Sequence, residues 1–147
     1  MSQSTTTTTQ TNNQLTIDYT LKNILRGANY FDEGQVTASG SDISLVLGMV
    51  MGRVKATGKM IPWDKDATDG SQYPVGLCYL GINETATVTD GTSSYINVIS
   101  KGRVDAGLIN FASEETLETV VNNRQVRDWL TDLGLTLEYP EERKEFA

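Results

Sequence analysis

Helical periodicity is missing from this sequence until after residue 112, which confines the body of the chain to short strands. Residues 43–54 (ISLVLGMVMGRV) are apolar, partly β-branched and broken by Gly48 and Gly52. A buried helix there would carry two glycines, each costing ~1 kcal/mol, so the run reads as strands with bends or close backbone approaches. Lys59-Met60-Ile61-Pro62-Trp63, the turn-rich residues 64–72 and the apolar run 73–82 (YPVGLCYLGI) then give strand, polar loop, strand. Residues 85–89 and 94–100 flank Asp90-Gly91, a pair suited to the positive φ of tight hairpin turns.

Helical spacing enters late. Ser113, Glu114 and Glu115 suit a helix start, with Leu117, Val120 and Val121 on one face and Asn122-Asn123 as an interruption. Val126, Trp129, Leu130 and Leu133 follow the i, i+3, i+4, i+7 pattern, and Gly134 stands where a left-handed cap ends a helix. Leu135 and Leu137 are placed to return as a strand. At 147 residues the chain fits one domain: mainly β with a short helix in the C-terminal half, an α+β arrangement.

Four segments follow from composition. Residues 1–14 (MSQSTTTTTQTNNQ) hold no charge and no aromatic group, so alone they do not repay the entropy of ordering. Leu15, Ile17, Tyr19 and Leu21 alternate with Thr16, Asp18 and Thr20, the period-2 pattern of a strand. That strand suits either the domain's own sheet or addition to another chain. Residues 1–21 are therefore read as an arm, residues 22–42 as an irregular connector, residues 43–137 as the β-rich body and residues 138–147 as an acidic tail.

Charge and residue types remove most chemistry. Twelve Lys+Arg against 19 Asp+Glu leave −7 and a pI near 4.5, a field that repels phosphate backbones and anionic lipid. No direct nucleic-acid partner is expected. No apolar window reaches the ~18 residues of a membrane span, and the N-terminus shows no signal-peptide pattern; the expectation is a protein of the cytosol or of a particle. There is no histidine, which removes the commonest general base and zinc ligand. Cys78 among Leu77, Tyr79 and Leu80 reads as a buried small hydrophobe. Asp64, Asp66, Thr68 and Asp69 open like a calcium loop, but Gly70 falls one place late and Val75 stands where a bidentate glutamate is needed. An acidic turn is the better reading; no metal or other cofactor is expected. Carboxylate-only hydrolysis needs two acids converging in a cleft, and no such pair is indicated.

The residues from Met60 to Leu80, MIPWDKDATDGSQYPVGLCYL, resemble a segment of lambda-like bacteriophage head decoration proteins. In it a strand ending in Trp63-Asp64 leads through the turn Thr68-Asp69-Gly70 into an apolar strand with Val75-Gly76. The similarity continues more loosely to Leu137. It implies a β-tulip fold and a homotrimer seated on local three-fold axes of the expanded capsid's outer surface. It further implies the major capsid protein as partner, synthesis in the host bacterial cytoplasm, and stabilisation against the pressure of packaged DNA. In that family the N-terminal arm is flexible when free and adds a strand to the shell, which would give Leu15, Ile17, Tyr19 and Leu21 the capsid-binding role. A phage tail, fibre or adhesin module is the alternative for a β-rich structural chain of this kind.

Overall fold

The computed structural model describes residues 3–10, 15–22, 24, 25, 27, 29–81 and 83–139. Among these residues it holds twelve strands, a single turn of 3-10 helix and one α-helix. The spine is β9 (Ser93–Asp105), thirteen residues long. It pairs antiparallel with β3 (Tyr30–Thr37) and β7 (Pro74–Tyr79), and parallel with β12 (Leu135–Glu138). Phe31 and Leu77 both pair with Ile99, so β3 and β7 lie on opposite edges of β9. Beyond β7 the sheet runs to β5 (Val50–Arg53) and β6 (Met60–Pro62). It curls into a half-barrel, the sense in which a twisted sheet closes. Its far strands meet across the opening, where Lys59 Nζ donates to Thr37 Oγ1 at 2.9 Å.

At its centre this sheet is covered on both faces, which is why β5 and β7 read as apolar runs and not as alternating strands. Val50, Leu77 and Ile99, aligned by register across three strands, belong to one core cluster with Trp63, Val121, Val126, Leu130 and Leu135. The intervening Met51, Cys78 and Val98 belong to a second cluster with Val36, Met60, Ile96, Leu45 and Val88. Leu45 and Val88 come from β4 (Ile43–Val46) and β8 (Thr85–Val88), which form a separate antiparallel ladder. On the first face lies α1 (Val126–Leu133), which buries Val126 and Leu130 and ends on Gly134 at φ 110°, as the spacing predicts.

The structure differs from the sequence reading in four places. First, residues 22–42, expected to be an irregular connector, contain β3, a full partner of β9. One side of β3 faces solvent at Phe31 and Glu33, so its apolar pattern is thin. A Cβ at Gly34 would collide with the buried Met60 side chain, which is why a glycine stands inside this strand.

Second, residues 113–121 are not helical. Thr116 Oγ1 accepts from Glu118 N at 3.3 Å, and Thr119 Oγ1 accepts from Thr116 N at 3.0 Å, local bonds that compete with a helix. Asn122 (φ 51°) and Asn123 (φ 65°) then turn β10 (Val120–Val121) back on β11 (Arg124–Gln125).

Third, the Asp90-Gly91 turn forms, with Gly91 at φ 81°, but β8 pairs with β4 and β9 with β3, so the two strands it joins splay apart. Fourth, Glu138, assigned to the tail, closes β12 and pairs with Arg103. Tyr139 follows it, half-buried, and residues 140–147 of the acidic tail lie outside the described residues, as do residues 1, 2 and 11–14 of the expected arm.

The strand expected over residues 15–21 is present as β2 (Leu15–Lys22). Its partner is β1 (Gln3–Gln10), from the segment expected to be unordered, in an eight-pair antiparallel ladder running from Gln3↔Lys22 to Gln10↔Leu15.

Candidate functional site

The Trp63 to Gly76 block is a structural corner. Trp63 is 2% exposed. Its N–H donates to Val50 O at 3.0 Å, its indole Nε1 donates to Gln72 O at 2.7 Å, and its ring meets Phe111 edge-on at 5.9 Å. The turn that follows closes on itself. Asp64 Oδ1 accepts from Asp66 N at 2.9 Å, and Asp69 Oδ1 accepts from Ser71 N at 3.0 Å and Ser71 Oγ at 2.5 Å. These Ser71 bonds, the hydroxyl first and the backbone second, hold the Asp69 carboxyl below its ordinary range. The Asp64 and Asp69 carboxylates accept within their own turns, and that of Asp66 pairs with Lys65. Among the described residues no cluster of three potential metal ligands occurs.

Gly70 (φ 103°) carries the turn back toward β5, and Lys55 N donates to Asp69 O at 2.8 Å. Thr68 is exposed and Val75 half-buried. The β5–β7 ladder shifts register at this point, with Gly76 opposite Met51 but Pro74 opposite Gly52, so Val75 is the extra residue of a bulge. At Gly76 a Cβ would collide with Val98 Cγ1 and Ile99 O. The glycine lets β7 lie close on β9. Of the seven motif residues, Thr68, Asp69 and Gly70 also line an open pocket of about 620 Å³ with Lys55, Gln72 and Tyr73, where the Asp69 carboxylate is engaged by Ser71.

Leu15, Ile17, Tyr19 and Leu21 stand elsewhere, at every second position of β2, opposite Gln10, Thr8, Thr6 and Ser4. The β1–β2 sheet joins no other ladder among the described residues. Each of its strands therefore has one paired and one unpaired edge, and an unpaired edge is a template for another chain. The body begins where Ile24, fully buried, accepts at its carbonyl from Asp105 N at 2.9 Å. The arm is thus anchored at the C-terminal end of β9.

Two surface features were not singled out from the sequence. On the face that α1 covers at Leu77 and Ile99, the helix leaves β9 and β3 bare farther along. Tyr95 there is 66% and Phe31 42% exposed, and the Phe31 ring lies 5.0 Å from that of half-buried Tyr79. Aromatic residues within otherwise polar strands (YFDEGQ and SSYIN) were the available signal. Nearby, the splayed β8 and β9 leave a groove of about 410 Å³, lined by Leu45, Tyr79, Ala86, Val88, Tyr95 and Ile96 among others. None of its eleven lining residues is charged; with the Thr87 and Ser94 hydroxyls, the Asn97 amide and two tyrosines it offers apolar and neutral hydrogen-bonding contacts.

Cys78, the lone cysteine, is fully buried, and burial pushes its thiol up to about 12. No helix among the described residues is long and apolar enough to cross a membrane. No curated protein matches the chain. The family model described as bacteriophage lambda head decoration protein D matches residues 18–119, a span that takes in β3 to β9, the whole Trp63 to Gly76 corner and most of β2. By that match, over well more than half of its length, the chain belongs to the bacteriophage lambda head decoration protein D family.

Proposed function

We propose that this head decoration protein works as a capsid cement. A homotrimer sits at local three-fold positions on the outside of the expanded head, binds the major capsid protein through residues 1–21, and holds the shell against the pressure of packaged DNA. Within the arm, Leu15, Ile17, Tyr19 and Leu21 set the register on the shell while the β2 backbone supplies the hydrogen bonds. The observation that carries this reading is the position of β2, a strand of alternating apolar residues kept out of every ladder of the body.

The energetics suit the role. Fixing an arm costs about 1–2 kcal/mol of entropy per residue, so one arm binds modestly. Three arms on one trimer engage together, the second and third at high effective concentration, which raises avidity by about 10²–10⁴. The bare face carrying Phe31 and Tyr95 supports self-association, because a solvent-facing aromatic patch on a covered sheet is a common subunit contact.

Removal of residues 2–21 tests the arm. The truncated chain keeps Ile24 and the whole body, so it should stay folded, with a cooperative melting transition and an unchanged oligomeric state, while losing cosedimentation with expanded heads. Normal binding by the truncated chain would refute the arm mechanism. Density on the tail and not at three-fold positions of the head, in micrographs of particles, would refute the cement role.

A further inference from the structure

The β1–β2 ladder has an unusual composition. Residues 5–9 of β1 are five consecutive threonines. Thr6, Thr7 and Thr5 face Tyr19, Asp18 and Thr20, and moving β1 by one or two places toward its later residues again sets threonine against each of the three. Register in a ladder is fixed by pattern, and β1 has none to offer. Its side carries β-propensity and backbone groups without an apolar sequence to match the leucines, isoleucine and tyrosine of β2. Such a strand satisfies the backbone of its partner while binding it weakly, and an isolated two-stranded ladder is marginal in water in any case.

We propose that β1 is a replaceable cover strand, and that the edge of β2 it occupies is the one that docks on the head, a strand of the shell polypeptide taking the place of Gln3–Gln10. This rests on the cement reading above and specifies the contact within it. Exchange conserves ladder hydrogen bonds, since those lost to β1 are remade with the shell strand. Release of the eight β1 residues returns their conformational entropy, which offsets the ordering of the shell strand. Specificity then comes from the apolar residues at alternate β2 positions, opposed by matching shell side chains in place of threonine. Before assembly, the cover keeps one edge of an apolar strand from pairing with other copies.

Docking through the opposite, already open edge of β2 would need no exchange, and a lock separates the two. In the full chain carrying Thr5→Cys and Thr20→Cys, an opposed pair, oxidation ties β1 to β2. Cys78 stays out of the reaction because it is buried with its thiol pushed up to about 12. The oxidised protein is expected to bind expanded heads at least about tenfold more weakly than the reduced one, with full recovery on adding dithiothreitol. Equal binding of the oxidised and reduced forms would overturn the exchange while leaving the cement reading intact. Failure of the native chain to bind heads would overturn both. Amide exchange on the free protein gives an independent check: slowed exchange at alternate β1 residues is expected, and unprotected amides throughout Gln3–Gln10 would refute the cover.

Discussion

Ser71 is fully buried, and its hydroxyl hydrogen-bonds to the carboxylate of exposed Asp69. The backbone N–H of Ser71 uses the same oxygen. An exposed side chain thus satisfies two polar groups of a buried residue, and a buried polar group left without its partner is destabilising. Asp69→Ala is expected to lower the midpoint of thermal unfolding by several degrees at neutral pH. The pH dependence has a definite sign. Because these bonds hold the Asp69 carboxyl below its ordinary range, their contribution is complete above the usual value of about 3.9. It is lost as pH falls through the lowered value. The gap between the native chain and the variant should therefore narrow in acid, as melting curves collected from neutral pH downward would show; a gap that widens would contradict this account.

At the scale of elements, the corner where β7 crosses β9 depends on contact too close for a side chain. Gly76→Ala would press a methyl group into Val98 and the Ile99 carbonyl. Overpacking of this kind costs about 1–3 kcal/mol, to be read as a lower urea midpoint with an unchanged slope. An unchanged midpoint would show that β7 can move away from β9 freely. The strand, turn, strand order of this corner was legible because turn residues such as Asp69-Gly70 are local punctuation, which a single sequence records, whereas the places of Trp63 and Gly76 depend on Phe111 and β9. β2, β12 and α1 were legible for the same reason, each having its own period. β3 was not, because Tyr30, Phe31, Asp32 and Glu33 are all exposed and only its partnership with β9 makes them a strand. Residues 113–121 misled in the opposite sense. Their spacing suits a helix, but Thr116 and Thr119 bond locally to the backbone and the left-handed Asn122-Asn123 pair makes a hairpin. The covering of β2 by β1 was hidden too, since a threonine run carries no period of any kind.

For the molecule as a whole, the proposed cement role requires that subunit contact and arm contact reinforce each other, and the two surfaces proposed for them lie apart. The arm leaves the body at Ile24, beside Asp105 at one end of β9, whereas Tyr95 lies near the other end of that strand, ten residues away. At about 3.3 Å per residue this separation is roughly 30 Å, so a change at the aromatic face leaves the arm's own chemistry intact. Phe31→Glu with Tyr95→Glu places charge on the bare face; neither residue is a buried member of either core cluster, and Phe31 meets the first through half-buried Tyr79. If that face joins the subunits of the proposed trimer, the double variant should sediment as a folded monomer with an unaltered circular dichroism spectrum. Loss of the trimer removes the effective concentration that couples the arms, so binding to expanded heads should weaken by about 10²-fold or more, although residues 1–21 are unchanged. A variant that remains trimeric would move the subunit contact elsewhere. One that becomes monomeric yet binds heads as tightly as the native chain would show that a single arm suffices, and that the shell is held by the strength of one strand and not by three acting at once.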